Sequence, residues 1–296
     1  YYIHAGKGRR RDMEPITAGE VARLLPQRDP EGHKGTFGKV LCVCGSVGFT
    51  GAPVFASRAA VRCGAGLVFL AVPESVWQVT AIKSDEAMPF PMPESEGKLS
   101  LSAEEDIRRR AASCDAVLIG CGLGRSRQTD ELVRQLLCLD RPLVLDADGI
   151  NALEWHIDEL SRRRGLVTVL TPHEEEFFRV GGDVSRGRES GAAAYAARRG
   201  VYLVLKGHRT VIAAPDGRLA VNTTGNDGMA KGGSGDILTG MTASLLAQCM
   251  EPFAACCCAV WLHGRAGDLA AAEKGRRGMT PGDLLEKLPY ALKEVE

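Results

Sequence analysis

Short apolar runs and helical patterns take turns along most of this chain, and that alternation constrains the fold more than any other feature. The runs at residues 39–45 (KVLCVCG), 66–72 (GLVFLAV), 116–119 (AVLI), 142–146 (PLVLD), 167–170 (VTVL) and 202–205 (YLVL) have strand length and are apolar almost throughout. Strands buried on both faces read this way, and strands joined through helices run parallel. Helices are expected between them, at 75–82, 102–112, 129–138 and 190–199, the second opened by a capping box of Ser102 and Glu105. The predicted class is α/β, a mainly parallel central sheet with helices on both faces. Residues 84–93 read as an irregular proline-containing crossing, and Pro215-Asp216-Gly217 as the turn of a hairpin. From residue 234 onward the pattern is almost wholly helical, at 236–248, 252–272 and 280–292. Residues 1–15 are expected to be a disordered or loosely attached arm, a short helix follows at 18–25, and residues 16–296 form one domain.

In such sheets ligands gather beyond the carboxyl ends of the strands, and the glycine-rich loops of this chain fall there. The densest is residues 222–240, NTTGNDGMAKGGSGDILTG, which turns abruptly into an apolar-periodic helix. Unencumbered backbone N–H groups and the helix dipole make such a junction an anion site. Asp236 is the only carboxylate of its GGSGD run. Ser234 or Asp236 capping the helix would explain an isolated triplet but not Gly228, Gly232, Gly233 and Gly235. Phosphate beside a potential base is the expectation. Residues 206–210 (KGHRT) follow a strand end and supply a lysine, a glycine and further donors, the other wall of a nucleotide site. Residues 120–124 (GCGLG) have the spacing GxGxG and not GxGxxG, so they read either as a loop approaching a pyrophosphate or as a tight turn. His173 opens a helix where a strand-end loop enters the cleft, while Glu174 and Glu175 suit the helix dipole. Asp146 and Asp148 could hold a hydrated Mg²⁺ or shape the turn, and the turn is the better account of Asp148. No dedicated metal ligand set is assigned.

Composition narrows the partners. Lys+Arg and Asp+Glu balance at 37 each, for a formal net charge of +0, which argues against a nucleic-acid footprint. The arginine runs 9–11, 108–110 and 162–164 read as solvated faces or helix ends. The 10 cysteines show no CxxC pair and no zinc spacing, as buried thiols in a reducing cytoplasm would. No run of 18 apolar residues and no signal-peptide pattern occurs, so no membrane partner is expected.

Six segments, taken in this order, resemble the ADP/ATP-dependent NAD(P)H-hydrate dehydratases of the ribokinase-like superfamily. They are HKGTFGKVLCVCGSVGFTGAP (33–53), IGCGLG (119–124), DADGIN (146–151), TPHEEEF (171–177), LKGHRT (205–210) and GNDGMAKGGSGDILTG (225–240). The likeness covers roughly residues 16–292. It implies repair of reduced nicotinamide cofactors hydrated across the C5–C6 bond of the ring, at the expense of a nucleotide phosphate. ADP giving AMP is the bacterial type and ATP the eukaryotic one, with Mg²⁺ assisting. Carried over by position, Asp236 would be the base, and Ala52, Gly122, His173 and Asp236 would contact the hydrated dinucleotide. Lys206, Gly207, His208, Arg209, Thr210 and Gly235 would hold the ADP, with Asn226 supporting the same loop. Glu174-Glu175 stands where the family more often has proline-glycine, and Cys121 where proline is usual. A cytoplasmic homotetramer is implied, and no epimerase activity is expected of this chain. The competing readings are a superfamily kinase of hydroxyethylthiazole or hydroxymethylpyrimidine, and a non-catalytic nucleotide sensor. The first has no use for a second dinucleotide-sized subsite, the second none for a base.

Overall fold

The structure, a computed structural model, describes residues 15–296, so the expected arm lies outside the described residues except for Pro15, which bridges Val221. The strands are β1 (Lys39–Val43), β2 (Leu67–Pro73), β3 (Met88–Met92), the short pair β4 (Glu94–Ser95) and β5 (Lys98–Leu99), β6 (Ala116–Ile119), β7 (Leu143–Leu145), β8 (Thr168–Leu170), β9 (Tyr202–Leu205), β10 (Val211–Ala213) and β11 (Leu219–Val221). Among the described residues they form a nine-stranded sheet in the order β11-β10-β9-β8-β7-β6-β1-β2-β3, with β4 and β5 paired apart from it. The sheet is parallel from β9 to β3 and antiparallel at β10 and β11. The hairpin around Gly217 is therefore where the turn signal put it.

Along β1 the side chains alternate between two cores, as the period of a strand requires. Val40, Cys42 and Cys44 belong to the core on one face, to which α2 (Gly51–Arg62), α9 (Ser234–Ala247), α10 (Pro252–Lys274) and α11 (Pro281–Lys293) contribute. Leu41 and Val43 belong to the core on the other face, to which α4 (Glu104–Ala111), α5 (Arg127–Leu136), α7 (Glu174–Arg179) and α8 (Arg188–Arg199) contribute. Helix α9 is buried along nearly its whole length, and Gly240 is where it touches α2: a Cβ there would lie 2.0 Å from the Ala56 carbonyl oxygen. Among the described residues no helix is long and apolar enough to cross a membrane.

Three expectations are corrected. Residues 88–92 are not an irregular crossing but the edge strand β3, paired in register with β2 from Phe69↔Met88 to Pro73↔Met92. Pro89 and Pro91 alternate, so both lacking N–H positions fall on the free side, where an edge strand tolerates them. The Trp77 indole N–H donates to the Pro89 carbonyl on that side at 2.9 Å. Ser102 does not cap α4: a 3₁₀ turn (Leu101–Ala103) precedes the helix, and the cap position is Ala103. Arg163 does stand at a helix end, the last residue of a 3₁₀ helix (Ile157–Arg163), but it is no solvated charge: it is only 2% exposed and donates to Thr168 Oγ1 and to the carbonyls of Leu137, Leu139, Arg141 and Val167.

Candidate active site

The order of the strands puts the topological switch point between β1 and β6, because the chain runs outward from β1 to β3 and then resumes beside β1 with β6. The loops leaving these two strands are tied across that crevice. Gly45 N–H donates to the Cys121 carbonyl at 2.9 Å and Ser46 Oγ to the Gly122 carbonyl at 2.9 Å. Gly122 packs on the start of α2, where a Cβ would come within 2.8 Å of the Ala52 Cβ. Ala52 and Gly122 thus adjoin each other at the switch point.

A larger cleft of about 790 Å³ opens next to it, at the ends of β7, β8 and β9. His173, Lys206, Gly207, His208, Arg209, Thr210, Asn226, Gly235 and Asp236 all line it, and Ala52 and Gly122 do not. Its floor is the N-terminus of α9. The cap residue is Gly233 at φ 105, a conformation glycine adopts without a Cβ penalty, and no side chain caps the helix. The capping account of Ser234 and Asp236 therefore fails. The Gly235 and Asp236 N–H groups lie in the first turn, where an α-helix offers them no internal acceptor.

Between the two sites stand Cys121, Asp146 and Asp236, whose ligating atoms lie within 4.8 Å of one another. Asp146 is 2% exposed and saturated: Oδ1 accepts from Lys206 Nζ at 2.6 Å and Thr171 Oγ1 at 2.8 Å, and Oδ2 from Thr239 Oγ1 at 2.8 Å. Burial pushes the Asp236 carboxyl up from the usual 3.8 to about 6, the Asp146 charge adding to it against the opposing pulls of the Cys121 thiol and the Lys206 ammonium. A carboxyl in that range remains largely ionised at neutral pH and is a stronger base than an exposed aspartate. For Lys206, burial favours loss of the proton, but Asp146 and Glu176 outweigh it and hold its pKa above the ordinary value. This cluster makes a poor cage for Mg²⁺: the Asp146 oxygens are occupied, an ammonium stands beside them, and a thiol is a soft ligand.

The remaining neighbours fix the walls. His173 caps α7, its Nδ1 accepting from Glu176 N–H at 3.3 Å while Glu176 Oε2 accepts from His173 N–H at 2.9 Å. Asn226 Oδ1 accepts from Gly228 N–H and its amide donates to Asp268, which also takes the Gly225 N–H. Asp148 accepts from Gly124 N–H at 2.9 Å, a loop-shaping role in keeping with the turn. His263, buried in α10, lies 2.9 Å from the Ser234 carbonyl, and burial lowers its pKa to about 4. His263 and Asp268 carried no signal in the sequence, while Glu176 and Thr239 lay within TPHEEEF and GNDGMAKGGSGDILTG with no role of their own assigned. Asp146 carried one, its place at the end of a strand within DADGIN, but there it was equally a turn residue.

The chain matches the family described as NAD(P)H-hydrate dehydratase over residues 40–290. It is 45% identical over 287 residues to the bifunctional NAD(P)H-hydrate repair enzyme Nnr of Moorella thermoacetica, which covers 95% of this chain and 54% of that protein. The chain thus spans about half the length of that relative. It is 35% identical over 288 residues to the ADP-dependent (S)-NAD(P)H-hydrate dehydratase of Neisseria meningitidis, covering 95% of this chain and 93% of that one. The crystal structure of the ADP/ATP-dependent NAD(P)H-hydrate dehydratase of Bacillus subtilis, co-crystallised with ATP and Mg²⁺, superposes with a TM-score of 0.81 at 32% identity, over 97% of this chain and 100% of that one. The fold is ribokinase-like, as expected. The chain belongs to the NAD(P)H-hydrate dehydratase family.

Proposed function

We propose that this chain dehydrates the S epimer of NAD(P)H hydrate to NAD(P)H, converting ADP to AMP and phosphate, with ATP as the other donor to be tried. The observation that carries the reading is Asp236, a carboxyl raised to about 6 that faces the cleft from the uncapped start of α9. In this scheme Asp236 takes the proton of the C6 hydroxyl as that oxygen attacks the terminal phosphorus of the donor, and the bond to the bridging oxygen breaks to release AMP. The ring nitrogen then pushes out phosphate, a far better leaving group than hydroxide, and loss of the C5 proton restores the double bond. The Gly235 and Asp236 amides and the Lys206 ammonium offset the charge of the transferring group. Mg²⁺ comes with the nucleotide's phosphates, not in a cage of the chain's own.

Lys206, Gly207, His208, Arg209, Thr210, Asn226 and Gly235 are assigned to the nucleotide, and Ala52, Gly122, His173 and Asp236 to the hydrated dinucleotide. In this reading both ligands meet at Asp236: the nucleotide and the His173 side of the dinucleotide occupy the cleft, and Ala52 and Gly122 receive the rest of the dinucleotide at the switch-point crevice. Residues 16–296 are taken as one domain, working as a homotetramer in the cytoplasm, where eight of the ten cysteines would lie buried as thiols. Incubation with hydrated NADH, ADP and Mg²⁺ should restore the reduced-nicotinamide absorbance with release of AMP. No recovery with either ADP or ATP, together with turnover of hydroxyethylthiazole, would replace the dehydratase by the kinase. Light scattering on the purified protein tests the tetramer.

A further inference from the structure

Arg188, the first residue of α8, lies behind the 206–210 loop and is not among the residues lining the cleft. Its Nη1 donates to the carbonyls of His208 at 2.9 Å and Arg209 at 3.2 Å, and its Nη2 to those of Leu205 at 3.0 Å and Lys206 at 2.8 Å. One guanidinium thus gathers four carbonyl oxygens from five consecutive residues. The approach is close enough to dictate the residue in front of it. Gly207 has φ 152, and a Cβ there would come within 2.6 Å of Arg188 Nη2. Arg209 is held at φ 57, a conformation that a non-glycine residue adopts at some cost. Glu174 forms an ion pair with the guanidinium, its Oε1 lying 2.8 Å from Arg188 Nε though not in line with the N–H.

A trans peptide points its C=O and N–H in opposite directions. Drawing the carbonyls of Lys206, His208 and Arg209 backward onto Arg188 therefore turns the N–H groups of Gly207, Arg209 and Thr210 away from it, toward the cleft side. Among the described residues, the N–H groups of Gly207 and Arg209 have no protein acceptor. Successive amides aimed into one concavity form an anion nest, and a charged fork behind them supplies positive potential without occupying the cavity. Glu174 belongs to the helix that His173 opens, so the same fork ties the nucleotide loop to the wall assigned to the dinucleotide.

We infer that Arg188 is a positioning residue for the phosphoryl donor: it pins the back of the 206–210 loop so that the loop's amides face the donor's phosphates. The inference rests on the assignment of that loop to a nucleotide. It is tested with Arg188→Ala and Arg188→Lys, by kinetics in ADP and in hydrated NADH and by calorimetric titration of ADP into each protein. Arg188→Ala should raise KM and Kd for ADP by about 10–100-fold, the equivalent of losing charge-assisted hydrogen bonds, with kcat at saturating ADP and KM for the hydrate changed by no more than a few-fold. Guanidinium ion at millimolar concentration should restore part of the ADP affinity of the alanine variant, which a general loss of packing would not allow. Arg188→Lys, which keeps the charge but not the planar fork, should fall between the two and serves alone if the alanine variant does not fold. Wild-type ADP affinity in a folded variant overturns the inference and leaves the dehydratase reading standing. Failure of the unaltered protein to bind ADP or ATP overturns both.

Discussion

Replacing Asp236 by asparagine should make the protein more stable at neutral pH, and the size of the gain follows from the surroundings of the carboxyl. Its folded pKa is about 6 against 3.8 for a free aspartate, burial being the first cause and the Asp146 charge the second. Between those two values the native state binds more protons than the unfolded chain, so stability falls as pH rises. The contribution of the protonated form is complete below pH 3.8 and is lost as pH climbs through about 6. A shift of roughly two units amounts to about 3 kcal/mol at pH 8, an upper value because the asparagine must also be accommodated beside Cys121 and Lys206. Urea unfolding of both proteins at intervals from pH 4 to pH 8 measures the difference, and the titrating groups remote from residue 236 cancel in the subtraction. The two curves should lie closest near pH 4, separate in favour of asparagine between pH 4 and about 6, and run parallel above that. A difference that is flat in pH, or that favours the native aspartate at pH 8, would show that the carboxyl does not carry the burden its position implies. A carboxyl held against its own solvation is where stability and the proposed activity are expected to oppose each other.

Three further outcomes follow from particular contacts. Asp236→Ala should lower turnover by about 10²–10⁴-fold, the usual contribution of a positioned base, with ADP affinity within a few-fold of the parent; single-turnover kinetics and calorimetry measure the two. Thr239→Val keeps the side-chain shape but removes a donor to the buried Asp146 carboxylate, and should cost about 1.5–3 kcal/mol in denaturant unfolding at pH 7. Arg163→Ala strips a buried guanidinium from four carbonyls and a hydroxyl and should destabilise by about 3–5 kcal/mol without changing KM for ADP, since Arg163 is not a cleft residue. A midpoint equal to that of the parent would refute the structural role given to it.

The segments legible in advance were those whose local pattern has one physical solution. Six apolar runs joined through helices admit little but a parallel sheet, and a proline-aspartate-glycine turn between two more admits a hairpin. A glycine-dense loop feeding a helix announces free amides whatever the tertiary arrangement. Where the pattern had two solutions the reading could fail. Met88-Pro89-Phe90-Pro91-Met92 looks broken because proline cannot donate, yet an edge strand asks nothing of alternate N–H groups. Arg162, Arg163 and Arg164 look alike in sequence, and only the carbonyls gathered round the middle one bury it.

The sequence alone thus determined the class of fold, the presence of a glycine-rich helix start without a side-chain cap and the carboxylate within it, because each is written in a local pattern of residues. The tertiary structure decided the rest. Asp146, Lys206 and Thr239 are separated by 60 and 93 residues from the first to the other two, and only the sheet brings them within hydrogen-bond reach. The carboxyl at 236 acquires its altered proton affinity from that assembly, since desolvation and the field of a buried charge are properties of a place in the folded molecule.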